Sequence, residues 1–188
     1  MFSLLKELKN YVPYDQTEKQ NVEKTIAFLQ TNKNAFWRTN LSGHMTAGGL
    51  VGDMHGNVLL NHHKKSGMWI QFGGHADGDE DIVRVSRREV FEESGITDYA
   101  YISKNIFDVD VQYISDSVNK GEPAHYHYDI NFLYLVDSHK NHISDESIEL
   151  RWVSVAQAKK LVRADDHGMH RMLDKYSAFL QQLKINNK

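Results

Sequence analysis

The chain changes its hydrophobic pattern near residue 40, and the change separates two kinds of predicted structure. Before residue 31, apolar residues recur every three or four positions, which is the spacing of one face of an α-helix. Beyond residue 43, apolar and polar residues alternate in several short runs, which is typical of β-strands. We therefore predict a helical N-terminal extension over residues 1–36, followed by a larger domain over residues 37–188.

The larger domain is predicted to contain a β-sheet with helices on both sides. Clusters of turn residues, such as Asp53–Asn57 and Lys64–Gly67, separate its strand-like runs. The predicted strands cover residues 44–52, 58–63, 68–70, 99–102, 106–114, 125–136 and 148–153. The predicted helices are a central helix that ends just before Gly95 and two later helices over residues 154–162 and 165–184. A polar loop is expected over residues 115–123. Because strands precede and follow a central helix, we expect an α/β fold with a mixed sheet between helical layers.

The central helix carries three glutamates on one face. Glu89, Glu92 and Glu93 occupy positions i, i+3 and i+4, so their carboxylates converge and repel one another. Mg²⁺ and Mn²⁺ favour carboxylate and water ligands and often take further ligands from phosphate groups. The alternative is a solvated charged face that the arginines of the same helix offset. Glycines at both ends of the segment favour the first interpretation, a metal site that binds a diphosphate.

One segment has particular residue types at fixed spacing. It contains a glycine, a glutamate six positions later, an Arg-Glu-aliphatic triplet, a Glu-Glu pair and a final Gly-aliphatic pair. These residues are Gly74, Glu80, Arg88, Glu89, Val90, Glu92, Glu93, Gly95 and Ile96. The segment resembles the signature box of the Nudix hydrolases at every defining position. Residues 40–165 resemble the family more loosely, and the resemblance implies a Nudix-type α/β/α sandwich with a mixed β-sheet.

The resemblance also implies a reaction and a metal cofactor. Nudix enzymes hydrolyse a nucleoside diphosphate linked to another moiety, by water attack on phosphorus, with Mg²⁺ or Mn²⁺. It implies that Glu92 and Glu93 are metal ligands, that Glu89 is a ligand or the general base, and that the carbonyl of Gly74 is a further ligand. The substrate, a small nucleoside diphosphate derivative, is not specified further.

Other residues of the box and a later loop are assigned supporting roles by the same resemblance. Arg88 is expected to orient a box glutamate through a charge-assisted hydrogen bond. Glu80 is expected to be a supporting acid in that network. Some members of the family place the general base in a later loop, and Glu146 or Glu149 is the candidate here.

Three residues near the box are candidate substrate contacts. Lys64 belongs to a short basic run that could contact phosphate, although a solvated turn is the simpler interpretation. Trp69 and Phe72 flank the paired glycines Gly73 and Gly74, where an aromatic ring could stack on a nucleobase. Trp69 could equally belong to the core. The family often has a proline where this chain has Phe72.

Composition narrows the classes of function. A formal net charge of −3 provides no electrostatic footprint for nucleic acid. No apolar run approaches the length of a membrane span, so no membrane partner is expected. The absence of cysteine excludes disulfides and leads us to expect a cytoplasmic protein. It also argues against isopentenyl diphosphate isomerases, for which the resemblance implies a catalytic cysteine.

Two questions remain open at this point. A nucleotide-sensing Nudix-like domain that binds without turnover is the alternative function, although the complete set of box glutamates favours hydrolysis. The apolar residues of the extension over residues 1–36 need a surface to cover them. Either the chain's own domain or a second copy in a homodimer could provide that surface.

Eleven histidines raise the question of a second metal site. His125 and His127 share one face of a predicted strand, and His167 and His170 lie near a helix start. A zinc site usually needs three or four ligands. Nothing in the sequence joins these pairs to a third ligand, so structural or surface roles are favoured.

Overall fold

The fold is a mixed β-sheet with helices on both faces, as seen in a computed structural model that describes residues 2–103, 105–116 and 123–186. The helices are α1 Phe2–Asn10, α2 Gln16–Thr31, α3 Ile82–Ser94, α4 Val155–Leu161 and α5 His167–Asn186. The strands are β1 Gly43–Gly52, β2 Asn57–His63, β3 Trp69–Ile70, β4 Phe72–His75, β5 Tyr101–Ile102, β6 Asp108–Ile114, β7 His125–Leu135 and β8 Ser147–Ser154. The polar loop predicted over residues 115–123 lies mostly outside the described residues.

Strand β1 is the centre of the sheet. It pairs in parallel with β7 along its whole length, from Gly43 opposite Tyr126 to Gly52 opposite Leu135. Its other edge pairs antiparallel with β2 and β4. Strand β7 also pairs antiparallel with β5 and β6, and β2 pairs antiparallel with β3 and β8. The sheet is therefore mixed, as predicted.

Two hydrophobic cores lie on opposite faces of this sheet. Alternation along β1 sends Ala47 and Val51 into one core and Leu50 into the other. The first core also contains residues of α1, α2 and α3, and the second contains residues of α4 and α5. This arrangement confirms the predicted α/β/α sandwich with N-terminal helices.

The N-terminal helices pack on the sheet of their own chain. Leu8, Phe28 and Leu29 are buried in the first core, and the Phe28 ring stacks on Tyr128 with centroids 3.9 Å apart. The surface that the apolar residues of the extension require is thus provided within the chain. A homodimer stays a prediction, but the burial of these side chains does not require one.

A buried network of charges joins α2, β6 and α5. The Arg171 guanidinium donates to both carboxylate oxygens of Asp108 over 2.8 and 2.7 Å. The Lys175 ammonium donates to Glu18 over 2.6 Å and to Asp108 over 3.0 Å. Glu18 also accepts the backbone N–H of Val109 over 3.1 Å. Since buried charges are costly unless paired, this network fixes how the extension is placed on the domain.

The box begins in strand β4. Gly73 and Gly74 belong to β4 and pair with Gly48 and Ala47 of β1. A Cβ atom at Gly73 would come within 3.0 Å of the Cα atom of Gly48, so the glycines allow the two strands to approach closely. Paired glycines are typical of turns in a sequence. Here their lack of side chains allows β4 and β1 to lie close together.

Both ends of α3 are capped. Asp81 is the N-cap, and its side chain accepts the N–H of Arg84 over 3.1 Å. Gly95 ends the helix with φ of 69°, a left-handed conformation that glycine adopts at little cost. None of the helices within the described ranges is both long and apolar enough to cross a membrane.

Candidate active site

Glu89, Glu92 and Glu93 line one cavity, where α3 lies beside β4. Buried Ile82, Val85 and Val90 dock α3 in the first core. The helix face that carries the acidic residues is thereby turned toward an open cavity of about 520 Å³. That volume is within the range of small-molecule sites. The lining residues from the box are Gly74, His75, Asp77, Arg88, Glu89, Glu92 and Glu93.

Glu93 is the most deeply buried of the three glutamates, with 7% of its surface exposed. Its carboxylate accepts the backbone N–H of Gly73 over 2.8 Å and the amide of Asn61 over 3.1 Å. Burial raises the pKa of Glu93 to about 7, and the charge of Glu89 acts in the same direction. The charged form of this carboxyl group is therefore disfavoured, and a cation bound beside it would stabilise that form.

Arg88 holds Glu89 in place. Its guanidinium donates to Glu89 over 2.7 Å and to the carbonyl of His75 over 2.8 Å. Burial raises the pKa of Glu89 against the opposing effect of Arg88. A Cβ atom at Gly74 would lie 2.5 Å from a Glu89 carboxylate oxygen, so a glycine is needed for this close approach. Glu92 is more exposed, and its carboxylate lies 4.0 Å from Arg88.

The donor set fits a hard divalent cation. Charge on Glu92 raises the pKa of Glu89, and charge on Glu89 raises the pKa of Glu93, although burial is the larger cause in both cases. Mutual repulsion between carboxylates on one wall is relieved when a cation binds between them. Oxygen ligands of this kind suit Mg²⁺ and Mn²⁺.

Basic side chains also line the cavity. Lys65 donates to Glu146 over 3.1 Å, and this hydrogen bond is the main cause that lowers the pKa of Glu146. Arg38 forms two hydrogen bonds to Asp77, over 2.5 and 2.7 Å. The cavity thus presents both carboxylates for a cation and cations for phosphate oxygens.

Two predicted acids lie outside the cavity lining. Glu80 is exposed just before α3 begins. Glu149 lies on β8, where its carboxylate accepts two hydrogen bonds of 2.7 Å from Arg151. Of the two alternative bases, Glu146 lines the cavity and Glu149 does not.

The three candidate substrate contacts also lie elsewhere. The Lys64 ammonium donates to the carbonyl of Asp145 over 2.7 Å, and its neighbour Lys65 lines the cavity instead. Trp69 stacks on His62 at a centroid distance of 4.7 Å. Phe72 is fully buried in the first core, so its ring is not available to a nucleobase. The expectation for Phe72 is corrected because strand alternation turns its side chain inward.

Several residues that line the cavity were not predicted from the sequence to belong to it. Asp129 of β7 accepts hydrogen bonds from Thr46 over 2.9 Å, Asn131 over 2.6 Å and Gln71 over 3.4 Å. Burial raises the pKa of Asp129. His75 and His127 line the same wall. Isolated polar residues in strands reveal a shared site only when the strands are paired.

Comparisons with known proteins agree with the fold and the box. The family model described as NUDIX domain matches residues 43–176. None of the curated proteins compared with the chain matches it. A C. elegans Ap4A hydrolase in a binary complex is 22% identical over 73% of this chain and 98% of its own, with a TM-score of 0.56. The NUDIX domain of Shewanella oneidensis NrtR complexed with ADP ribose is 16% identical over 82% of this chain and 97% of its own, with a TM-score of 0.57.

A third similar structure is the E. coli dihydroneopterin triphosphate pyrophosphohydrolase. It is 13% identical over 70% of this chain and 93% of its own, with a TM-score of 0.55. At these identities the solved structures establish a shared fold. The family model covers most of the chain and includes the whole box. The chain therefore belongs to the NUDIX family of pyrophosphohydrolases.

Proposed function

We propose that this protein hydrolyses the pyrophosphate bond of a nucleoside diphosphate linked to another moiety, by water attack on phosphorus. The observation that carries the proposal is the convergence of Glu89, Glu92 and Glu93 on one cavity. Lys65 and Arg38 line the same cavity. A diphosphate that binds together with a divalent cation needs carboxylates for the cation and basic side chains for its phosphate oxygens.

The carboxylates are the proposed site of Mg²⁺ or Mn²⁺. Glu92 and Glu93 would hold the ion, with the carbonyl of Gly74 as a further ligand, and Glu89 would act either as a third carboxylate ligand or as the general base. When bound, the cation would neutralise phosphate oxygens and polarise the attacking water. Lys65 and Arg38 would bind the outer phosphate oxygens.

Glu89 is the preferred general base. Its raised pKa brings it closer to the operating pH, which favours proton transfer from water. Arg88 limits the orientations of the Glu89 carboxylate. Glu146 is the weaker candidate, because Lys65 lowers its pKa. Glu80 lies just before α3 and does not line the cavity, so we propose that it supports the helix and does not bind the cation.

A panel of substrates tests the proposal. The compounds named for the similar structures are Ap4A, ADP ribose and dihydroneopterin triphosphate, which all contain a pyrophosphate linkage. Each is incubated with Mg²⁺ or Mn²⁺, and the phosphate released after coupling to a phosphatase is measured. We expect turnover of at least one compound and none without a divalent cation. Saturable binding without turnover would support the nucleotide-sensing alternative.

Matched Glu→Gln variants test the site. We expect Glu92→Gln and Glu93→Gln to weaken Mn²⁺ binding in calorimetry and to lower kcat. Glu89→Gln should lower kcat by roughly 10²–10⁴-fold, with near-normal Mn²⁺ affinity if Glu89 is the base. A loss that added Mn²⁺ restores would identify Glu89 as a ligand instead. Glu23→Gln, at an exposed position of α2, is the control and should retain full activity.

A further inference from the structure

Four histidines meet at the end of the sheet beside the active-site cavity. His44 is on β1, His75 ends β4, and His125 and His127 begin β7. The parallel register places His44 directly opposite His127. The ring of His44 lies 4.9 Å, centroid to centroid, from each of the other three rings. Strand pairing therefore joins His125 and His127 to two further imidazoles, which separation in sequence concealed.

The ring nitrogens face one another. The Nε2 atom of His127 lies 3.1 Å from Nε2 of His125 and 3.3 Å from Nε2 of His75. A neutral imidazole nitrogen is either a donor or an acceptor. One Nε2 atom therefore cannot form two good hydrogen bonds, and a cluster without a cation leaves one of these contacts poorly satisfied.

The other nitrogens of the cluster support the same conclusion. The Nδ1–H group of His125 donates to the carbonyl of Pro123 over 2.8 Å, which leaves a lone pair on Nε2 directed at the cluster. Metal-binding histidines commonly make this second hydrogen bond to a backbone carbonyl. His44 is 5% exposed, and among the described residues neither of its buried ring nitrogens has a hydrogen-bond partner of good geometry. Buried polar atoms of this kind require an explanation.

The spacing suits a tetrahedral metal ion. Zinc binds imidazole nitrogen at about 2.0–2.1 Å, so two such ligands in a tetrahedron lie about 3.3–3.4 Å apart. The two Nε2 contacts of His127 are close to this value. Ligand atoms of His44, His125 and His127 all lie within 4.8 Å of one another. His75 is not in that set, and its ring would have to move from its place beside His127 to become the fourth ligand.

The burial of the cluster also favours neutral rings. His44 is buried, His75 and His127 are half-buried, and burial disfavours a protonated imidazole. Imidazole binds a metal ion in its neutral form. Arg38 adds positive charge near the cluster, and its ion pair with Asp77 offsets part of that charge.

We propose that His44, His125 and His127, with His75 as fourth ligand, bind a zinc-type divalent transition metal at the wall of the active-site cavity. Imidazole nitrogen favours Zn²⁺, Co²⁺ or Ni²⁺ over Mg²⁺, so this site differs in chemistry from the glutamate site on α3. The metal connects β1, β4 and β7 next to Gly74. The proposal does not depend on the substrate or on turnover.

Metal binding by the full chain tests the proposal directly. The purified protein is treated with a chelator, loaded with Zn²⁺ and passed through a desalting column, and its zinc content is measured by elemental mass spectrometry. We expect one equivalent per chain. Loading with Co²⁺ instead should produce the visible absorption of a tetrahedral cobalt site. Zinc loading should also raise Tm, because the metal joins three strands.

Variants distinguish this site from surface binding and from the glutamate site. His44→Gln, His125→Gln and His127→Gln should weaken zinc binding by more than the roughly 10–100-fold that loss of an outer partner costs. The control His167→Gln, at an exposed position, and Glu92→Gln should retain zinc. Circular dichroism checks folding, and the half-buried His125 carries the test if His44→Gln does not fold. Absence of bound zinc, or equal retention by all variants, would overturn the proposal.

Discussion

At the scale of single residues, the active site depends on how closely β4 and α3 approach. Gly74 leaves room for the Glu89 carboxylate, which Arg88 holds from the other direction. Glu93 is fixed by the backbone N–H of Gly73. Gly73 and Gly74 therefore help to position the carboxylates, in addition to allowing β1 and β4 to pair closely.

We expect Gly74→Ala to impair activity more than stability. The added methyl group would displace the Glu89 carboxylate, and a displacement of about 1 Å can cost roughly 10²-fold in rate. Gly49→Ala is the contrasting variant, because its methyl group would overlap the buried Tyr134 ring and destabilise the fold by about 1–3 kcal/mol. Steady-state kcat and thermal unfolding are measured for both. A Gly74→Ala enzyme with wild-type kcat would contradict the assigned role of Glu89.

At the scale of secondary-structure elements, a buried charge network determines where the N-terminal helices dock. Glu18 of α2, Asp108 of β6 and both Arg171 and Lys175 of α5 are paired away from water. Exposed pairs, such as Arg163 with Asp165, have no comparable effect because water screens them. The network thus specifies one relative placement of three elements that are distant in sequence.

We expect Arg171→Met to destabilise the protein by about 3–5 kcal/mol, because it leaves buried carboxylates without their partner. For a chain of this size, that corresponds to a decrease in Tm of roughly 6–20 °C. The matched variant Arg163→Met should leave the free energy of unfolding nearly unchanged, because water screens this exposed pair. Chemical denaturation of both proteins provides the comparison. Equal effects would mean that the buried network contributes no more than a surface pair.

At the scale of the whole molecule, the N-terminal helices and the Nudix domain share one hydrophobic core. Residues of α1 and α2 lie in the same cluster as residues of β1, β7 and α3. The family model begins only at residue 43, after both helices. The extension is thus an addition to the family fold that covers one face of the sheet, and the boundary near residue 36 stays a prediction.

We expect Phe28→Ala to lower the free energy of unfolding by about 3–5 kcal/mol, because it opens a cavity between α2 and the sheet. The control is Val12→Ala, since Val12 is 85% exposed, and its effect should be within about 0.5 kcal/mol. Light scattering at micromolar concentration reports the mass of both variants and of the original chain. If Phe28 served only a dimer contact, its replacement would change the mass and leave a monomer of normal stability.

The sequence alone determined the family, the mixed sheet between helices and the three glutamates of the site. These features depend on local spacing: strand alternation, helix periodicity and a box confined to residues 74–96. Only the tertiary structure decided that Phe72 is buried, that Lys65 rather than Lys64 lines the cavity, and that Glu146 rather than Glu149 does so. Burial on a strand depends on a register in which a shift by one residue exchanges the two faces. The same register brings His44 opposite His127, across more than eighty intervening positions, and no local pattern encodes that contact.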